Sequence, residues 1–147
     1  MSRYLGLDIG DKTIGVAVSD PLFISAQGVC TIERVGIRKD TSKVLDYIKE
    51  YDVSVVVAGL PVMLSGEDSP QTTKVREFTA MLENKLRSNG LNKVEVVFQD
   101  ERFTTKMAEQ VLMDSGVRRE NRKKYVDKMA AQIILQSFME SRRNIVE

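Results

Sequence analysis

The sequence predicts a single α/β domain in which a mixed sheet of about five strands is flanked by helices. Three observations predict it. A strand pair, "YLGLDI" (4–9) and "IGVAVS" (14–19), is joined by "GDKT", a turn of the residues that hairpins need. The run "VSVVVAGLP" (53–61) is β-branched and is closed by Gly and Pro, as a strand buried on both faces should be. From there helical and strand patterns alternate, which implies parallel strands joined by right-handed crossovers. A chain of 147 residues is the usual size of one domain.

The elements follow in order. After the strand pair, "GVCTIE" (28–33) reads as a third strand. Asp40 or Thr41 is placed to cap a helix whose apolar positions Val44, Leu45 and Ile48 recur at helical spacing. Behind the central strand, Ser69 is an N-cap and Pro70 a first helical residue. Val75, Phe78, Leu82 and Leu86 then form a stripe that ends near Gly90. "KVEVVF" (93–98) is the fifth strand. Thr104 or Thr105 opens a helix through Met113, stopped by Gly116, and a last helix runs through "YVDKMAAQIILQSFMES". The domain is assigned to residues 1–141, with 142–147 as a C-terminal tail.

Composition narrows the chemistry. Hydrophobic residues make up 42% and charged residues 29%, the balance of a soluble globular protein. No apolar run is long enough to span a bilayer and no signal-peptide pattern opens the chain, so the cytoplasm is the expected compartment. The one cysteine, Cys30, excludes an internal disulfide, and the absence of histidine excludes imidazole catalysis and ligation. Any catalysis rests on carboxylates, Lys, Arg, hydroxyls, backbone groups or a hard cation held by oxygen.

The net charge of +1 conceals a basic stretch, "GVRRENRKKYVDK", with Arg118, Arg119, Arg122, Lys123, Lys124 and Lys128 against Glu120 and Asp127. Such a cluster is either a footprint for a phosphate backbone or a solvated helix start. If the strands at 4–9, 53–58 and 93–98 are mutually parallel, Asp8, the loop "GLPVMLSGEDSP" and "QDERFTT" gather at the carboxyl edge of the sheet, where open α/β sheets bind ligands. Asp127 lies three and four residues before Ala130 and Ala131, on the inward stripe of the last helix. Each acid has a bland reading: Asp8 paired with Lys12, Glu101 with Arg102, Asp127 as a helix cap. Three carboxylates on one edge repel one another, and a divalent cation resolves that conflict without histidine. Mg²⁺ or Mn²⁺ is the expected cofactor.

The motifs "GLDIGDKTIGVAVSD", "VVAGLPVMLSGEDSP", "QDERFTT" and "YVDKMAAQIILQSF", in this order and spacing, resemble the pre-16S rRNA nuclease family, related to bacterial Holliday junction resolvases within the RNase H-like superfamily. The resemblance extends from about Tyr4 to Met139 and implies an RNase H-like fold. It also implies a metal-dependent nuclease that matures the 5′ end of precursor 16S rRNA. By position it makes Asp8, Glu101 and Asp127 the catalytic and metal-holding acids. Lys12, Arg102, Arg118, Arg119, Arg122, Lys123 and Lys124 are then the nucleic-acid contacts. Thr13 stands where the family usually has arginine, which puts a phosphate contact there in doubt. The superfamily often gathers four acids, and Asp11, Asp20 and Asp100 are candidates for the fourth.

Precursor rRNA is the expected partner, with branched DNA, ribosomal association and a homodimer left open. Leu22, Phe23, Met63 and Leu64 are either an interface or loop anchors. Two other classes compete: a non-catalytic rRNA-binding maturation factor, and an ATP-binding fold of the sugar-kinase and actin-like type, which needs a second domain.

Overall fold

The computed structural model describes residues 2–61, 69–100 and 119–146, with side chains in the last helix described from 129 to 142. Five strands, β1 (Arg3–Ile9), β2 (Thr13–Ser19), β3 (Ala26–Glu33), β4 (Val53–Leu60) and β5 (Glu95–Asp100), form one sheet in the order β3-β2-β1-β4-β5. β1, β2 and β3 are antiparallel neighbours, whereas β1–β4 and β4–β5 are parallel. The mixed sheet and the three parallel strands are as the sequence predicts. Three helices accompany it among the described residues: α1 (Ile37–Glu50), α2 (Pro70–Ser88) and α3 (Arg119–Val146).

Strand alternation assigns the faces. Leu5, Leu7 and Ile9 of β1 pack with Val56 and Ala58 of β4 against Val44 and Ile48 of α1 and Val75, Phe78 and Leu82 of α2. On the other face, Val55 and Val57 meet Ala131, Ile134, Leu135 and Met139 of α3, with Tyr4 alongside. The sheet is therefore sandwiched, α1 and α2 on one side and α3 on the other. Burying each large aliphatic side chain contributes about 1.5–3 kcal/mol.

Boundaries differ from expectation where local hydrogen bonding overrides pattern. β3 begins at Ala26, two residues early, because it pairs in register with Ser19 at the far end of β2. β5 runs from Glu95 to Asp100 rather than from 93. α3 is already helical at Arg119, ahead of Tyr125, and residues 142–146, read as a tail, continue its backbone. The helix expected over 104–113 lies outside the described residues, as do Met63 and Leu64. Of the other loop residues, Leu22 is exposed, while Phe23 stacks on Tyr4 at 4.3 Å.

α2 starts as predicted. Ser69 Oγ accepts from Thr72 N at 3.2 Å, and Thr72 Oγ1 accepts from Ser69 N at 3.0 Å, with Pro70 at the first helical position. α1 does not: its N-cap is Gly36, and Asp40 lies inside the first turn. Asp40 is fully buried and reaches back, accepting from Val35 N at 3.1 Å, Gly36 N at 3.3 Å and Arg34 Nε at 3.0 Å. Burial pushes its pKa up. The Val35 and Gly36 N–H groups and the Arg34 guanidinium outweigh that and hold the carboxyl below 3.8.

A carboxyl depressed on folding contributes stability that is present in full above about pH 5 and lost as pH falls through the folded value. Asp40→Ala should therefore destabilise by about 3 kcal/mol at neutral pH, because it strands Arg34 and two N–H groups. The penalty should shrink in acid below pH 3.8. Urea denaturation of both proteins at neutral and acid pH measures it.

Candidate active site

The carboxyl ends of β1, β4 and β5 point the same way, so Asp8, Leu60 and Asp100 mark one edge of the sheet. Asp8 pairs across the hairpin with Gly15. On the other side, Gly59 follows Ala58, the β4 partner of Leu7, and is level with Asp8. Both neighbours are glycines, so neither adjacent strand puts a side chain beside this half-buried carboxylate. Sequence reading missed that arrangement; only the register of the ladders reveals it.

Tyr4, Gly6 and Asp8 share the α3 face of β1. Tyr4 meets Phe138 edge to face at 5.7 Å. At Gly6 the helix comes so close that a Cβ there would stand 2.8 Å from Leu135 Cβ and 2.9 Å from the Ala131 carbonyl oxygen. Moving from Tyr4 to Gly6 along β1 thus means moving from Phe138 to Leu135 and Ala131 along α3, toward its amino end. One turn beyond Ala131 on the same stripe is the backbone of Asp127. The Asp127 side chain lies outside the described residues, as do those of Arg119, Arg122, Lys123 and Lys124 and the whole of Glu101, Arg102 and Arg118. Lys12 is described and exposed in the β1–β2 turn.

The candidates for a fourth acid separate cleanly. Asp11 is ion-paired with Lys74 at 2.8 Å, and that hydrogen bond lowers its pKa. Asp20 follows β2, at the opposite end of the sheet from Asp8. Its carboxylate accepts from the N–H groups of Ile24 at 2.7 Å, Ser25 at 2.8 Å and Leu22 at 3.2 Å, so it organises the β2–β3 loop. The Ser25 N–H is the chief cause of its lowered pKa. Asp100 ends β5 at the site edge, but on the face of Leu60 and Phe98, opposite to Asp8.

Among the described residues no three His, Cys, Asp or Glu side chains converge as a metal site. The described part of the expected set nonetheless fits a hard cation. Asp8 supplies a carboxylate oxygen, the ligand type a hard cation takes, and the strands on either side set only glycines beside it. Among the described residues no helix is long and apolar enough to cross a membrane.

Comparison with known proteins adds three findings. A family model described as "RuvX: Holliday junction resolvase" matches residues 2–141. The chain is 46% identical over 143 residues to a protein of Caldanaerobacter subterraneus named "Putative pre-16S rRNA nuclease", covering 97% of this chain and 99% of that one. It is 44% identical over 139 residues to one of the same name from Clostridium tetani, covering 95% and 96%. In fold it resembles the Thermus thermophilus RuvC in complex with Holliday junction substrate, with a TM-score of 0.61 and 15% identity over 98% of this chain and 97% of that one. The fowlpox virus resolvase is similar at a TM-score of 0.53 and 15% identity, over 95% and 98%. At such identities the likeness is one of fold, and it agrees with the RNase H-like architecture that the sequence predicts.

Proposed function

Because the chain belongs to the RuvX family, we propose that it is a divalent-metal-dependent nuclease, a phosphodiester hydrolase that works in the cytoplasm on the 5′ end of precursor 16S rRNA. The observation that carries this reading is the placement of Asp8. It is half-buried at the carboxyl edge, between two glycines, on the face crossed by the helix that carries Asp127. Glu101 follows β5 directly in sequence and lies outside the described residues. Asp8, Glu101 and Asp127 then hold Mg²⁺ or Mn²⁺. The cation, when bound, makes water a better nucleophile and offsets charge on the phosphate.

The protein's own contribution is to fix three carboxylates at one point and hold the phosphodiester in line for attack. Water adds at phosphorus, the P–O3′ bond breaks, and the departing oxygen ends as a hydroxyl. Lys12, Arg102 and the stretch Arg118, Arg119, Arg122, Lys123 and Lys124 hold backbone phosphates. They carry little sequence information, so substrate shape or a ribosomal partner selects the site.

The test is cleavage of a 5′-extended 16S rRNA fragment and of a four-way DNA junction, each with Mn²⁺ and with chelator. Metal-dependent cleavage of the RNA supports the reading. Cleavage of the junction alone assigns the resolvase activity that the family description names, and binding without product assigns a maturation factor. A second expectation concerns salt. Replacing Arg122, Lys123 and Lys124 together with glutamine should weaken RNA binding and flatten the log K against log salt slope by about 2. Filter binding over a salt series measures it, and an unchanged slope removes these three from the interface.

A further inference from the structure

We propose that Gln71 and Arg34 are positioning residues for Asp8: they bind the two successive backbone carbonyls that follow it and so fix the carboxyl end of β1. The inference rests on the reading of Asp8 given above. It starts from the point where the β1–β4 ladder ends. The β1–β4 ladder closes at Leu7↔Ala58, yet β1 continues through Asp8 to Ile9. The paired part of this ladder therefore stops one residue short of Asp8, although β4 itself runs on to Leu60.

Side chains take over where the ladder stops. Gln71 Nε2 donates to the Ile9 carbonyl at 2.9 Å, and an Arg34 terminal nitrogen donates to the Gly10 carbonyl at 3.0 Å. The Arg34 main-chain N–H also donates to the Lys12 carbonyl at 2.9 Å. The turn has its own closing bond, Gly10 N to Thr13 O at 2.9 Å, so these ties exceed what a hairpin needs. They come from α2 and from the connection between β3 and α1, and they converge on Ile9, Gly10 and Lys12, just after Asp8.

Each tie is itself held. Gln71 sits in the first turn of α2, whose start is locked by the reciprocal Ser69–Thr72 bonds. The Arg34 guanidinium is oriented by fully buried Asp40 and lies over the Phe78 ring at 5.3 Å. A planar fork can hold a carboxylate and a carbonyl at once; an ammonium cannot reproduce that geometry. Displacing a reacting group by about 1 Å costs about 100-fold in rate, which is the scale of effect such a clamp prevents.

Three variants test the proposal: Gln71→Ala, Gln71→Glu and Arg34→Lys. Gln71→Glu is isosteric but sets an acceptor against the Ile9 carbonyl. The readouts are ¹⁵N order parameters for the amides of residues 9–13, the melting temperature, and kcat and KM on the precursor fragment at saturating Mn²⁺. The expected order parameters at Gly10–Lys12 fall from about 0.85 toward 0.6, while the rest of the sheet keeps its values. The expected kcat falls about 10- to 100-fold with KM within about 2-fold, Gln71→Glu being the worse of the Gln71 pair.

Unchanged amides, or loosened amides with unchanged kcat, overturn the proposal. So does a kcat loss that merely tracks the unfolded fraction. If Arg34→Lys fails to fold, the two Gln71 variants decide. If the wild type cuts nothing, the nuclease reading fails, and the relaxation measurement still judges the clamp by the same criterion.

Discussion

Asp8→Asn is expected to lower the cleavage rate by about 1,000-fold or more, which is about 4 kcal/mol of transition-state stabilisation. The substitution keeps the volume and one carbonyl-type oxygen of the side chain, and removes its charge. Residue 8 is half-buried and has Gly15 and Gly59 beside it on the adjacent strands, and asparagine fills the same volume, so no cavity opens. If the proposed site gathers three carboxylates, removing the charge of one should leave the melting temperature unchanged or raise it. RNA binding, carried by cations elsewhere, should stay within about 3-fold. Mn²⁺ affinity measured by calorimetry should fall with the rate. A purified Asp8→Asn protein that cuts at the wild-type rate removes Asp8 from the chemistry.

Gly6→Val is expected to be the most destabilising single change in the sheet. Even a lone Cβ meets Leu135 Cβ at 2.8 Å and the Ala131 carbonyl oxygen at 2.9 Å, and the second of these is backbone that cannot rotate away. Overpacking of this kind costs about 1–3 kcal/mol for Gly6→Ala, and the two further methyls of valine add to it. Against a domain stability of about 5–15 kcal/mol, the valine variant should be substantially unfolded or have α3 displaced. Urea denaturation followed by circular dichroism measures both. Gly6→Ala carries a sharper expectation. Its activity should fall further than its folded fraction, because the helix that must move also carries Asp127. An alanine variant as stable as wild type within about 0.5 kcal/mol contradicts the close approach.

Much of the fold was legible because its signals are local and repetitive. The β-branched run at 53–61 and the Ser69–Pro70 start each state one element in a few residues. The start of α1 was not legible, because Asp40 looks like an N-cap in sequence. Its carboxylate instead reaches back from within the helix, a choice that depends on Arg34 and burial. Glu101 and the Asp127 side chain lie outside the described residues. That Asp8 and the end of β5 share one edge could be read from the sequence because the strands are parallel. The glycine flanks of Asp8 and the ties from Gln71 and Arg34 could not. They depend on which residue of β2 or β4 stands beside which residue of β1, and on a side chain sixty-two positions away.

One consequence remains in the run of α3. The helix is continuous from Arg119 to Val146 and is pinned near its middle, over Gly6 and by Gln136, which accepts from Ala26 N at 3.0 Å. Arg119 to Lys124 sit at one end of this rod and Asp127 a turn further in. In the proposed reading the outer cations and Asp127 belong to one continuous helix seated over Gly6, so a polyanion gripped by the former is tied through the backbone to the acid position.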